Sequence, residues 1–426
     1  MKKYDQYKNS GVQWLGEIPE HWEVLSNKHI FKLNKNLVGK KSSEYDLLSL
    51  TLNGVIKRDM ENPQGKFPAE FDTYQEVKKG DFIFCLFDVE ETPRTVGLSD
   101  FDGMITGAYT VMQVNNSFDN SFLYYFYLNL DAGKRMKPLY TGLRNTISKD
   151  NFFAFKTFLP PLQEQTVIAN FLDDKTTKID QAIAIKQKQI ELLKERRQIL
   201  IHKAVTRGLN ENVKLKDSCV EWIGEIPEHW EVKKMTNVCK IETGATPDRS
   251  NNSYWQGNIP WIKTGEVNYE LITSSEEYIT EKGLKNSATR LAPIGTLLMA
   301  MYGQGVTRGR VSILGIEATY NQACCAMLFN RSIFNKYGYY FFVMAYSYIR
   351  DGGNETSQMN ISAGYISKIK IIKPPINEQI KIVEFIESAS SKIASAISLK
   401  EREIEKMKEY KMSLIDGVVT GKVKVI

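Results

Sequence analysis

Cysteine and histidine are scarce in this chain. Five cysteines (Cys85, Cys219, Cys239, Cys324, Cys325) and four histidines are spread over 426 residues. The cysteine number is odd and no CxxC spacing occurs. Neither a disulfide framework nor a thiolate zinc site is expected, and a reducing, cytoplasmic setting fits. Four histidines give a histidine-built metal centre little material. No run of about 18 apolar residues is present, so no membrane-spanning helix is expected. The opening MKKYDQYKNS has a lysine pair but no apolar stretch behind it, and is not read as a secretory signal. Catalytic signatures are also missing. There is no GxxxxGK[ST] loop, no HExxH and no GxSxG, and GQGVTRG at Gly303 has the wrong spacing for a dinucleotide fingerprint. The two Pro-Pro pairs follow Leu159 and Lys373, not the Asn or Asp an amino-methyltransferase needs. Glu76 and Lys78 form no convincing nuclease arrangement. No cofactor or metal site is expected, and the balance favours a binding protein.

What is present is a chain long enough for two domains. It is 42% hydrophobic and 25% charged, with a formal net charge of +6. Between Lys175 and Arg207 stand nine Lys/Arg against three Asp/Glu, so this one segment carries an excess equal to that of the whole chain. Nucleic-acid binding, if present, must rest on local loops and not on bulk charge.

The chain repeats itself. SGVQWLGEIPEHWEV (Ser10–Val24) returns as SCVEWIGEIPEHWEV (Ser218–Val232), 208 residues later. A second, longer pair begins LPPLQEQ at Leu159 and KPPINEQ at Lys373, aligning without a gap at an offset of 214. Each half reads as a short signature, a variable block and a helical block. The variable blocks share only a faint pattern, VKKGDFIFCLF from Val77 against APIGTLLMAMY from Ala292, each a turn followed by a strand-like run. The ends do a common job and each middle does its own. In the signature, Trp14, Ile18, Pro19 and Trp22, with Trp222, Ile226, Pro227 and Trp230, read as an apolar clamp. His21 and His229 belong to that clamp or to solvent.

In the helical blocks, the Pro-Pro pairs end a strand. A short amphipathic helix follows, with Ile168, Phe171 and Leu172 on one side in one copy and Ile382, Phe385 and Ile386 in the other. Asp173-Asp174 and Ser388–Ser391 then supply caps for a new helix, from about Thr177 to Val205 and from about Ser391 to Val419. Its apolar positions recur every seven residues: Ile179, Ile183, Ile190, Leu193 and Leu200, then Ile393, Ile397, Ile404, Met407 and Leu414. This is a coiled-coil seam of about four heptads, and the two helices are each other's natural partners. Both copies place a basic residue at the same seam positions, Lys186/Lys400 and Arg197/Lys411. These either fix register or snorkel at a solvated edge. A helix of about 29 residues is about 43 Å long, comparable with one turn of duplex DNA.

GEIPEHWEV at the head of each half, PPLQEQ and PPINEQ opening heptad helices, and two unlike blocks between them resemble the specificity subunit of a type I restriction–modification system. The resemblance covers the whole chain. It implies an α+β fold: two mixed α/β target recognition domains joined by two long antiparallel coiled-coil helices, with an internal pseudo-twofold repeat. The domains would span residues 1–158 and 211–372, with helical regions 159–210 and 373–426. The resemblance further implies a non-catalytic subunit in which each domain reads one half of a bipartite double-stranded DNA target. The coiled coil would set the spacing and dock two modification subunits. Those partners bind S-adenosylmethionine and methylate adenine, and restriction subunits add ATP-driven translocation and cleavage. Two other classes stay open: a coiled-coil scaffold that does not touch nucleic acid, and a fused methyltransferase or nuclease.

Base edges are read by Arg, Lys, Asn, Gln, Ser and Thr on exposed loops. In the second block YGQGVTRGRV offers Gln304, Thr307, Arg308 and Arg310, TYNQACC offers Asn321 and Gln322, and IPWIKTGEV offers Lys263 and Thr264. In the first block FDVEETPRTVG offers Arg94 and Thr95, NGVIKRD offers Lys57 and Arg58, and YTGLRNTIS offers Arg144 and Asn145. The competing reading for each is a solvated turn residue.

Overall fold

The structure, a computed structural model, describes residues 2–60, 71–303, 306–351 and 360–425. The chain divides into two compact units, Met1–Gln187 with Glu401–Ile426, and Lys188–Lys400. Among the described residues no helix is long and apolar enough to cross a membrane.

The first unit is built on a four-stranded antiparallel sheet. Its order is β1 (Phe31–Leu33), β4 (Thr110–Val114), β2 (Phe82–Phe84) and β3 (Val96–Leu98). All three residues of β2 are fully buried, so the sheet is covered on both faces. Helix α1 (Asn120–Ala132) is capped by the Asp119 carboxylate, which accepts from the Phe122 amide. The core is rich in aromatic rings: Phe31, Phe84, Tyr127 and Phe152 meet in edge-on and tilted pairs, at centroid distances of 4.7–5.9 Å. The second unit repeats this frame: β5 (Cys239–Thr243), β8 (Cys324–Phe329), β6 (Leu297–Ala300) and β7 (Val311–Ile313), with α3 at Asn335–Met344. The faint sequence match is the same turn in both. Gly80 and Gly295 have φ of +91° and +85°, a conformation that favours glycine. Asn120 and Asn335 donate to their carbonyls at 3.1 and 2.7 Å.

The insertions differ. The first unit adds a hairpin, Leu48–Thr51 with Gly54–Lys57, and the pair Gln75–Val77 with Gly103–Ile105. The second adds a strand at Trp255–Ile262, paired antiparallel with Tyr278–Ile279 and parallel with Thr319–Tyr320.

Each signature closes its own unit. In the first, Glu17–Pro19 pairs with Tyr7–Asn9, and Glu23–Ser26 pairs with Lys156–Leu159. In the second, the same pairings join Glu225–Pro227 to Leu215–Asp217 and Glu231–Lys234 to Lys370–Lys373. Trp22 and Trp230 are fully buried. Their indole N–H groups donate to Glu164 at 3.3 Å and Glu378 at 2.9 Å, the Glu of each PPxxEQ motif. His21 and His229 pair with the same carboxylates at 2.7 and 2.8 Å. The neighbouring Gln165 and Gln379 are buried. Each donates to the carbonyl of its own Pro pair, Pro160 or Pro374, and accepts from a backbone amide at the start of α1 or α3. The two motifs that repeat in sequence are therefore the two halves of one clamp.

The helical blocks differ from the sequence expectation. No break separates a short helix from a long one: α2 is continuous over Leu162–Arg207 (46 residues) and α4 over Ile376–Val419 (44 residues). In the first copy the expected caps are engaged elsewhere. Asp173 accepts from Tyr125 Oη at 2.7 Å, and Asp174 pairs with Lys178 one turn on at 2.6 Å. With those two carboxylates satisfied, neither competes for the α2 backbone, and neither stretch holds a proline to break its helix. The two helices pair antiparallel. In the first unit Lys186 reaches Glu403 and Lys411 reaches Asp180, both at 2.6 Å. In the second, Lys400 reaches Gln189 Oε1 at 2.6 Å. Three of the four basic seam residues thus bond across to the opposite helix instead of snorkelling to solvent. Ile183, Ile190, Ile393, Ile404 and Leu414 are buried, and Ile179, Leu193, Leu200, Ile397 and Met407 are half-buried.

At the end of α4, Asp416 is tied to Arg135 at 2.6 Å, Lys422 at 2.9 Å and Asn129 at 3.2 Å. Burial alone would raise its carboxyl, but the bonds from Lys422 and Arg135 hold it below the usual carboxylate range. A depressed folded pKa stabilises the unit above about pH 4, and that contribution is lost as pH falls through the folded value. Asp416→Asn should therefore lower the first unit's stability by about 1–2 kcal/mol at pH 7. The difference from wild type should shrink on acidification, read by urea melts at pH 7 and pH 3.

Candidate nucleic-acid interface

Strand directions bring the second unit's loops to one edge of its sheet. Ala300 pairs with Cys324, and Thr243 with Cys325. The ends of β5 and β6 and the start of β8 therefore lie together. The strand ending at Ile262 joins them through Asn321 N, which donates to Ile262 O at 3.0 Å. Thr246 donates to Gln322 Oε1. Gly244 runs so close to the 320–321 backbone that a Cβ there would lie 2.0 Å from Tyr320 O, so only glycine fits. Lys263, Thr264, Asn321 and Gln322 thus share an edge with the 302–310 loop, whose neighbour Met301 bonds to Ala323 and Ile361. Lys263 is held by Glu276 at 2.8 Å and Glu277 at 3.0 Å, which raise its pKa.

Within the 302–310 loop the structure corrects one expectation. Arg308 is only 9% exposed, and its guanidinium donates to Arg350 O at 2.9 Å. It holds the loop in place and does not stand on its surface. Thr307 and Arg310 are half-buried, with Arg310 5.8 Å from the Tyr269 ring. Gln304 lies outside the described residues.

In the first unit the corresponding edge is formed by the 87–95 loop and the hairpin around Gly142. Asp88 N donates to Arg144 O at 3.0 Å and Val89 N to Asn145 O at 3.3 Å. Arg144, exposed at the tip beside a fully exposed Leu143, engages Asp88 with two guanidinium nitrogens. That fork holds the Asp88 carboxyl below its usual range and raises Arg144. Asn145, at a φ of +45°, donates to Glu91 at 3.2 Å. Arg94 is half-buried and spans from Tyr124 Oη to Leu52 O.

Thr95 is a second correction. It is 1% exposed, and both its amide and its hydroxyl donate to Asp131, at 2.8 and 2.6 Å. A hydroxyl spent this way anchors the loop and is not available to a solute. Lys57 and Arg58 lie at the far end of their hairpin from Arg94, with Lys57 paired to Asp46.

Several residues absent from the sequence reading support these edges. Lys134 bonds to Asp131 and to the Val89 and Thr92 carbonyls at 2.7–3.1 Å, bracing the 88–95 loop. Arg249 stacks on Trp255 at 3.8 Å and Trp261 at 4.8 Å. The GATPDRS loop that carries Thr246 and Arg249 has the same Gly, Pro and cation content as the loops chosen, so composition alone would have found it. Lys134 gave no such signal, because its partners are distant in sequence. Among the described residues no cluster of three or more His, Cys, Asp or Glu is placed to hold a metal.

Two units with one sheet frame, each gathering cations, amides and hydroxyls on a loop edge, define a duplicated recognition protein. The family model for the type I restriction modification DNA specificity domain matches twice, over residues 19–195 and 227–406. The chain belongs to this family and is a specificity subunit: it recognises DNA sequence, and catalysis resides in the partner subunits of the type I complex. The putative type I restriction enzyme MjaX specificity subunit of Methanocaldococcus jannaschii is 25% identical over 455 residues, covering 99% of this chain and 98% of the relative. The EcoR124I/EcoR124II specificity subunit of Escherichia coli is 30% identical over 200 residues, 46% of this chain and 47% of the relative. Among solved structures, a chain from a study of complex assembly and conformational transition in the type I R-M system has a TM-score of 0.72 at 12% identity. It covers 95% of this chain and 99% of that one. The HsdS subunit from Thermoanaerobacter tengcongensis has a TM-score of 0.54 at 13% identity over 95% and 98%. Both likenesses establish the fold.

Proposed function

We propose that each unit reads one half of a split DNA target through its loop edge, with recognition domains at residues 1–158 and 211–372. The observation that carries this is the pairing of one sheet frame with two unlike sets of edge loops. A shared frame suits a common docking mode, and unlike loops suit unlike half-sites. Arg144 and Asn145 in the first unit, and Lys263, Thr264, Thr307, Arg310, Asn321 and Gln322 in the second, are the residues proposed to face DNA. The paired helices of regions 159–210 and 373–426 set the spacing between half-sites. They also dock two modification subunits, which bind S-adenosylmethionine, and through them the restriction subunits. Leu192 and Ile199, exposed one heptad apart on α2, offer an apolar strip for such a partner. The complex works in the cytoplasm.

A scaffold without DNA contact would hold the partners equally well. The two readings separate in a retention experiment with the assembled modification complex. Sequence readers retain a cognate duplex against an excess of unrelated duplex, by about a thousandfold or more in affinity. A scaffold shows no preference.

A further inference from the structure

The two clamps are not occupied alike. In the first unit Tyr4 lies over Trp22, ring centroids 6.3 Å apart and nearly perpendicular, and its hydroxyl donates to Glu164 at 2.6 Å. Lys424 sits 5.8 Å from the centroid of the same ring. The Glu164 side chain is left only 12% exposed.

The register of the repeat places Asn212 where Tyr4 stands. Gln6 O accepts from Glu20 N, and Lys214 O accepts from Glu228 N, at 3.1 and 2.8 Å. The strands that follow, Tyr7–Asn9 and Leu215–Asp217, pair identically with their signatures. The second unit therefore has no ring at this position. Against Trp230, itself fully buried, and Glu378 lies a cleft of about 310 Å³, lined also by Val213 and Ile382, with Arg207 and Lys381 beside them. Glu378 accepts from Trp230 and pairs with His229, as Glu164 does with Trp22 and His21, but its side chain is 40% exposed. A carboxylate has about four acceptor positions, so capacity remains toward the cleft.

We propose that this cleft takes the phenol ring of a tyrosine carried by a partner protein chain, the hydroxyl donating to Glu378 as Tyr4 donates to Glu164. The first unit supplies its own plug; the second receives one on assembly. The assignment of the partner rests on the reading that the chain works inside a complex with modification subunits. The geometry of the cleft does not depend on it.

The test uses the full chain labelled with 5-fluorotryptophan and titrated with p-cresol, followed by fluorine NMR. Wild type should bind one equivalent, perturbing Trp230 and not Trp22. Toluene, which lacks the hydroxyl, should bind at least fivefold more weakly, and Glu378→Gln should weaken p-cresol at least threefold. Asn212→Tyr should abolish the site, and Tyr4→Asn should open a second one at Trp22. Asn212→Tyr should also weaken assembly with the modification subunits at least tenfold while leaving the melting temperature of the isolated chain undiminished. Unchanged p-cresol binding in Asn212→Tyr or Glu378→Gln, no shift at Trp230 in wild type, or undiminished assembly of Asn212→Tyr would overturn the proposal. The cresol titration needs no partner, so its failure counts against the cleft alone. Failure of the wild-type chain to bind modification subunits counts against the assembly.

Discussion

Trp22→Ala should destabilise the first unit by about 4 kcal/mol, the cost of removing a fully buried large side chain and leaving a cavity. The number follows from position. Trp22 has no exposed surface and meets Phe122 edge-on at 6.3 Å. The chain at Gly421 passes so close that a Cβ there would lie 3.3 Å from the indole. The substitution also removes one of three partners from Glu164, leaving His21 and Tyr4. Trp22→Phe, which keeps a ring but loses the N–H, should cost about half as much. Hydrogen exchange is the suitable measurement because it reads each unit separately. Protection should fall in β1–β4 and remain in β5–β8. Unaltered protection throughout would remove the signature from its structural role.

Arg144→Ala should weaken binding of the assembled complex to its cognate duplex about tenfold or more, the scale of one lost bidentate base contact. Loss on unrelated duplex should stay within about twofold. The opposing change is Asp88→Ala. At present Asp88 occupies the guanidinium fork, and Arg144 must exchange it for DNA. Freeing the fork leaves one more uncompensated cation on the edge, so affinity for unrelated duplex should rise about two- to threefold at low salt. Fluorescence anisotropy over a salt series reads both. Equal loss on cognate and unrelated DNA for Arg144→Ala, with a salt slope reduced by about one, would make Arg144 a phosphate contact instead of a base reader.

The sequence made the duplication, the clamp and the heptad seam legible because each is written locally, in identical or periodic residues. It missed the continuity of α2 and α4. Asp173 and Asp174 look like caps in one dimension; the fold supplies Tyr125 as a partner for Asp173, while Asp174 turns to Lys178 on the same helix. Thr95 and Arg308 failed for the same reason: a hydroxyl or guanidinium in a glycine- or proline-rich loop reads as a surface donor until Asp131 and the Arg350 carbonyl are placed beside it. The shared sheet frame was nearly invisible, since buried strands such as FIF and LLMA need only be apolar and of suitable size. What survived was the turn glycine, Gly80 and Gly295, where backbone conformation and not packing dictates the residue.

The most direct test of two readers on one chain is to map methylated adenines in a genome that carries the assembled complex. One bipartite motif is expected, two short specified halves separated by a gap of fixed length and unspecified sequence. A continuous, unsplit motif would contradict it.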